Sequence, residues 1–163
     1  MKKRILILLL IAPSLFAQNT NDEWITLYNR TMDLFEAGTG DIALATNTLA
    51  QTENALGNES IDLQPLLNNM GFYYFDHGQL GQAGDCFKRV ANIQEAQGIT
   101  NDTMLANCLN NLSEVRKQQG NMTEAETLVT RALEIRESAL GPNHFLTAQS
   151  LNNLAQLYHH IGR

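Results

Sequence analysis

Leu-Asn-Asn-Leu at residues 151–154 repeats the same four residues at 109–112 and, with Met in the last place, those at 67–70. The copies begin 42 residues apart both times. A glycine follows each copy with the same step, at Gly78, Gly120 and Gly162. A repeated unit of 42 residues is therefore the first property of this chain, and it indicates a repeat architecture.

We call each copy of Leu-Asn-Asn-Leu a box, including the one that ends in Met. The residues around each box predict two helices per unit. Apolar side chains recur at helical spacing, first through Leu109, Leu112 and Val115, then from Leu128 to Ala139. The pattern predicts helices from Leu80 to Gln97 and from Met122 to Leu140, with breaks at the repeated glycines and at residues 141–143. Asn121 and Glu124 have the spacing of an N-cap and its partner.

A long coiled coil is the rival interpretation, because 42 residues are six heptads. Glycine at every break, together with Gly141-Pro142, would interrupt such a rod in each copy. Helical hairpins stacked side by side fit better, and the predicted fold class is all-α. A weaker copy at about residues 22–57 matches the next unit at a step of 38.

The N-terminus has the pattern of a secretory signal peptide. Lys2, Lys3 and Arg4 precede an unbroken apolar run at residues 5–11, and Ala17 offers a cleavage position. The run is too short for a permanent membrane span. We therefore expect residues 1–17 to be removed and the protein to be exported, as a periplasmic, outer-envelope or secreted protein.

The charge argues against nucleic acid as a partner. The net charge is −6, and it becomes −9 without residues 1–17. Nucleic acids and anionic membrane surfaces bind to basic patches of a protein, and a chain this acidic is a poor candidate for such a patch.

The reactive side chains form no recognisable centre. Cys86 and Cys108 fit no metal or redox motif, and two buried thiols are favoured over a disulfide. His159 and His160 are adjacent and point to different faces of a helix, so they cannot chelate one metal together. No nucleophile and base stand in a catalytic order. We expect no enzyme activity, no metal and no cofactor.

Small residues follow each box at Gly71, Ser113 and Ala155, and alanines come five residues after two of the glycines, at Ala83 and Ala125. This order resembles the tetratricopeptide repeat (TPR). The step of 42 residues, the doubled asparagine and the stretch 131–144 resemble its kinesin-light-chain type. The resemblance implies a right-handed superhelix of antiparallel helix pairs, whose first helices line a concave groove. It divides residues 18–163 into a degenerate repeat at about 22–57, repeats at about 61–100 and 103–142, and a half repeat at 144–163.

The resemblance also implies a peptide-binding groove that presents asparagines. An amide suits a peptide backbone because it both donates and accepts hydrogen bonds. An alternative is that one asparagine of each pair bonds to a neighbouring helix and fixes the stack. The basic residues that would clamp a C-terminal carboxylate are replaced, among others by Pro65. The candidate groove residues are Asn68, Asn69, Phe72, Asn107, Asn110, Asn111, Glu114, Gln149, Asn152, Asn153 and Gln156.

The function expected from this sequence is a non-catalytic scaffold that binds a peptide or protein segment. Alternatively, the repeats are the N-terminal arm of a longer protein with a CHAT/caspase-like protease or sensor-kinase domain. The helix predicted at about 145–161 lacks a second helix within this sequence, so part of its apolar surface should stay uncovered. Self-association through that C-terminal helix is a further expectation.

Overall fold

The computed structural model describes residues 23–162, which form seven α-helices and one short 3₁₀-helix. The predicted signal peptide, residues 1–17, lies outside the described residues. No helix in residues 23–162 is long and apolar enough to cross a membrane. The helices are α1 (Glu23–Glu36), α2 (Ile42–Leu56), α3 (Gln64–Asp76), α4 (Leu80–Ala96), α5 (Thr103–Gln118), α6 (Met122–Leu140) and α7 (Phe145–His160), with the 3₁₀-helix at Ile61–Leu63.

The helices pack as successive pairs, α1 with α2, α3 with α4 and α5 with α6, and α7 packs on α6. The predicted all-α solenoid of helix pairs is thereby confirmed. Glycines close the tight turns between paired helices, because only glycine adopts a positive φ without strain. The φ angles of Gly78 and Gly120 are 74° and 80°.

Local sequence signals set the helix starts. Asp41 and Asp102 accept hydrogen bonds from the first backbone amides of α2 and α5. At the start of α6, Asn121 accepts a bond from the amide of Glu124 and donates one to its carboxylate. The predicted N-cap of α6 is therefore confirmed, and so are both ends of that helix.

Small residues allow the two helices of a pair to approach closely. In the α5–α6 pair, the Ser113 hydroxyl donates a 2.8 Å hydrogen bond to the carbonyl of Ala125, which is fully buried. In the α3–α4 pair, Gly71 lies against Phe87, and a Cβ at residue 71 would come within 2.7 Å of that ring.

The core continues along the stack without a break between units. Leu109 of α5 packs with Ala91 of α4 and with Ala132 and Ile135 of α6. The two cysteines are part of this core as free, buried thiols. Cys86 packs with Ala45, Leu66 and Met70, whereas Cys108 belongs to a separate cluster with Leu63, Leu67, Val90 and Ile93.

Candidate functional site

The first asparagine of the boxes on α3 and α5 bonds to the next first helix of the solenoid. Cys108 of α5 donates its thiol hydrogen to Oδ1 of Asn68 on α3, at 3.5 Å. Asn110 of α5 donates from Nδ2 to the hydroxyl of Ser150 on α7, at 2.9 Å. Residues 108 and 150 differ by the same 42 residues as the two asparagines. One cross-link between units is thus repeated along the chain.

Asn110 lies inside the stack. Its side chain is buried, donates to the carbonyl of Ala106 at 3.2 Å and accepts a bond from Asn153 at 3.2 Å. Both ends of this amide are therefore used by α5 and α7. The structure does not bring Asn110 to an open surface, and its position matches the alternative in which one asparagine of the pair fixes the stack.

The second asparagine of each box has a different environment in each unit. On α3, Asn69 donates to the thioether of Met32 on α1, at 3.4 Å. On α7, Asn153 is bonded to Asn110. On α5, Asn111 is half-buried, and no hydrogen bond reaches its amide from any of residues 23–162. Of these three side chains, Asn111 is therefore the one whose Nδ2 donor and Oδ1 acceptor both lack a partner within residues 23–162.

Asn111 belongs to a row of polar side chains that crosses α5 and α7. Positions 107, 111 and 114 lie on one face of α5 by steps of four and three residues, and a step of 42 leads to 149, 153 and 156 on α7. Glu114 forms an ion pair with Lys117 and accepts a bond from Gln118. We call this row the amide stripe, and its members are Asn107, Asn111, Glu114, Gln149, Asn153 and Gln156.

The residues of α3 that are equivalent to the amide stripe are less polar and are in contact with neighbouring side chains. Phe72 stands one repeat before Glu114, and its ring meets Phe87 edge-on at 5.4 Å between centroids. Asn68 donates to the thioether of Met104 on α5 at 3.5 Å, so the face of α3 is already engaged by its neighbours. The predicted aromatic part of the groove is therefore half-buried and in contact with the core.

A buried arginine donates hydrogen bonds to the amide stripe from inside the stack. Arg136 of α6 is 2% exposed and reaches between α5 and α7. Its guanidinium donates to Oδ1 of Asn107 at 2.6 Å, to the hydroxyl of Ser150 at 2.8 Å and to the carbonyl of Leu146 at 2.7 Å. A longer contact of 3.4 Å joins it to Oε1 of Gln149. Arg136 therefore fixes two members of the stripe.

The Arg136 guanidinium is buried without a carboxylate partner among residues 23–162, and its Nε makes no hydrogen bond there. Burial lowers the pKa of Arg136 to about 10, so it is still charged at neutral pH. Because the guanidinium donates to Oδ1 of Asn107, the amide group of this residue is held by its oxygen, and its Nδ2 has no hydrogen-bond partner within residues 23–162. The positive charge also favours acceptor groups above the stripe.

Sequence reasoning did not find Arg136, although a signal was present. The residue 42 positions earlier is Gln94, which is also polar and buried, and which donates to Gln64 of α3 at 3.0 Å. A polar residue repeated between apolar ones on a second helix could have indicated a cross-link to the first helices.

Two further predicted site residues are exposed to solvent. Asn152 and Gln156 are exposed, and neither has a hydrogen-bond partner within residues 23–162. Asn152 stands one repeat after Asn110, yet it faces away from the stack and lies beside the exposed Leu151. The structure therefore separates Asn152 from the amide stripe. The described residues hold no group of three metal-ligating side chains.

Comparison with known proteins gives a family match for the C-terminal part of the chain and similar folds among solved structures. Residues 105–163 match the family model described as tetratricopeptide repeat. A Podosopora anserina putative kinesin light chain with nearly identical TPR-like repeats has a TM-score of 0.73 at 17% identity, over 89% of this chain and 70% of that chain. BtubC (BKLC) from P. vanneervenii has a TM-score of 0.67 at 21% identity, over 84% of this chain and 53% of that chain.

The chain spans about half the length of the BtubC structure. No curated protein sequence matches it. The family match over residues 105–163 and the fold likeness to a kinesin light chain with TPR-like repeats bear out the predicted resemblance to TPR-like repeats. This is a fold that suggests a scaffold for protein interactions.

Proposed function

We propose that this protein is a non-catalytic scaffold that binds an extended segment of a partner protein along the amide stripe. The observation that carries this proposal is the amide of Asn111, which is half-buried and unpaired among residues 23–162. Neither polar atom of this amide is among the buried side-chain atoms without a partner in residues 23–162, so both reach solvent and are accessible to a ligand. A peptide backbone satisfies both its donor and its acceptor.

The neighbours of Asn111 define the chemistry of the ligand. Asn107 adds a donor one turn earlier, and Gln156 adds an exposed amide on α7. The carboxylate of Glu114 is neutralised by Lys117, so it adds little net charge. A set of amides with one neutralised charge recognises main-chain groups more than charged side chains. We propose an internal, extended stretch of the partner as the ligand, because no exposed basic clamp for a terminal carboxylate stands in the stripe.

The proposed setting is outside the cytoplasm. The basic start, the apolar run at residues 5–11 and Ala17 support an exported protein whose signal peptide is cleaved. Fractionation of cells, with mass spectrometry of the mature N-terminus, tests this part by itself. A cytoplasmic protein that still begins at Met1 would contradict export without affecting the binding proposal.

The binding proposal is tested by selecting peptides from a random phage-displayed library and measuring their affinity by calorimetry. Asn111→Ala should weaken the selected peptides about tenfold or more, since one or two hydrogen bonds are lost. Its melting temperature should stay close to that of the parent, because this amide bonds to no described residue.

The matched control is Asn92→Ala, which removes an exposed amide from the second helix α4. We expect this variant to bind peptides as the parent does. Equal affinities of parent, Asn111→Ala and Asn92→Ala would mean that the amide stripe is not the binding surface.

A further inference from the structure

One exposed face of α7 carries mostly apolar side chains and no Asp, Glu, Lys or Arg. Phe145 and Leu151 are 64% and 46% exposed, and they are the exposed large hydrophobic side chains of residues 25–162. Ala148, Asn152, Ala155 and His159 are exposed as well. We call these six residues the open face of α7. The opposite side of the helix is engaged through Ser150, Asn153, Leu154 and Leu157.

The equivalent face of α5 is covered by another helix. Leu109 stands one repeat before Leu151 and is 3% exposed, because it packs against Ala132 and Ile135 of α6. Ser113 stands one repeat before Ala155, and its hydroxyl bonds to the carbonyl of Ala125 on α6. The open face of α7 therefore has the composition of a surface that an antiparallel helix covers, and in residues 23–162 it has none.

The charge pattern indicates which kind of helix fits there. Helix α7 contains no Asp, Glu, Lys or Arg, whereas each of the other six α-helices that the structure describes contains at least one. The whole chain carries a net charge of −6, so two copies repel each other over most surfaces. At the open face of α7, two copies can meet without bringing like charges together.

The open face is also complementary to itself. When two copies of α7 run antiparallel about the midpoint between Leu151 and Asn152, Ala148 lies opposite Ala155 of the partner subunit. Leu151 then lies opposite Asn152 of the partner subunit. A twofold axis brings each patch onto its own copy in this way. One alanine contact on each side of the centre lets the helices approach closely, as the small residues Ser113 and Ala125 do within the α5–α6 pair.

We propose that two copies of this chain form an antiparallel dimer through the open face of α7. Each α7 then occupies, for its partner, the place that α6 occupies against α5. The contact involves one helix from each subunit, which is smaller than a standard protein interface of about 20 to 30 residues a side. The dimer is therefore expected to dissociate on dilution.

The first test is the molar mass of the purified full chain, with its termini determined, over a hundredfold concentration range. Light scattering after size exclusion, or sedimentation equilibrium, should show a dimer at high concentration that dissociates on dilution. Ala155→Glu should raise the dissociation constant at least about tenfold, because each dimer then buries two unpaired carboxylates. Leu151→Lys should act in the same direction.

The matched control is Ala50→Glu, which adds the same charge at an exposed alanine of α2. It should leave the dimer intact, and circular dichroism should show equal helix content in all variants. A monomer at every concentration would overturn the proposal, as would a dimer that Ala155→Glu and Leu151→Lys leave unchanged. A complex with a different protein in place of the dimer would overturn it as well.

The antiparallel register has its own test by cross-linking under mild oxidation. A chain with both Ala148→Cys and Ala155→Cys should form a disulfide-linked dimer, because residue 148 meets residue 155 of the partner subunit. Within one helix these positions are about 10 Å apart, too far for a disulfide. Either substitution alone should not cross-link. Efficient cross-linking by the single variants would show a parallel pair and overturn the antiparallel one.

Discussion

At the scale of single residues, the two asparagines of each box have separate tasks. Asn110 makes three hydrogen bonds with buried or half-buried groups of α5 and α7, whereas its neighbour Asn111 makes none with residues 23–162. Adjacent helix positions point about 100° apart, so one side chain can face the next unit while the other does not. The doubled asparagine therefore joins a structural position and a candidate binding position.

Asn110→Ala should lower the free energy of unfolding by about 1–3 kcal/mol, because Ser150 and Asn153 lose a buried partner. Asn152→Ala removes an exposed amide without a described partner and should change the free energy of unfolding by no more than about 0.5 kcal/mol. Urea denaturation followed by circular dichroism measures both. Equal stability of the two variants would contradict the cross-link between α5 and α7.

At the scale of helices, glycine acts in opposite ways at two positions of the same hairpin. Gly71 of α3 lies against the buried ring of Phe87, where a Cβ would approach to 2.7 Å. Gly81 in the first turn of α4 is exposed and has open space around it. The first glycine is needed for the packing of the pair, whereas the second only lowers the helix propensity of α4.

Gly71→Ala should therefore destabilise the protein by about 1–3 kcal/mol through overpacking. Gly81→Ala should stabilise it by up to about 1 kcal/mol, since alanine is the better helix former. Thermal melts of the parent and both variants measure the sign of each shift in melting temperature. Two shifts of the same sign would argue against the close contact of α3 with α4.

Helix positions were predictable because their signals are local. The glycine breaks and the Asn121 cap placed both ends of α6 at the residues found. For α5 the repeated pattern predicts a helix only from Leu109, whereas the helix begins at Thr103 after its Asp102 cap. The roles of the asparagines and of Arg136 were not predictable in the same way, because they depend on which side chain of a neighbouring unit lies opposite.

At the scale of the whole molecule, two buried thiols limit stability in alkali. Burial raises the pKa of Cys86 to about 11 and that of Cys108 to about 12, from 9.0 in both cases. Above pH 9 the unfolded chain loses these protons before the folded one does. The stabilisation is therefore complete below pH 9 and is lost as the pH rises toward the folded values. Burial lowers the pKa of Arg136 to about 10, so the folded chain loses this proton before the unfolded chain does. Its effect on stability is therefore opposite to that of the thiols, and it begins only at higher pH.

Between pH 9 and 10, each thiol should lower the free energy of unfolding by up to about 1.4 kcal/mol per pH unit. Cys108→Ala should remove the contribution of one thiol, so its curve of stability against pH should be flatter than that of the parent. Urea titrations at several pH values measure this slope, with pH 7 as the baseline for the lost packing. Parallel curves for parent and variant would contradict the contribution of Cys108.

The repeated cross-links, Asn68 with Cys108 and Asn110 with Ser150, also bear on how such a gene can change length. A recombination event between the two boxes that joins codon 67 to codon 110 deletes 42 codons and restores an intact Leu-Asn-Asn-Leu sequence. Asn110 then follows Leu67 and still lies opposite Ser150. The reciprocal event inserts one unit with the same cross-link. Arrays of this kind can therefore grow or shrink by unequal crossing-over without any new side chain being needed at the junction.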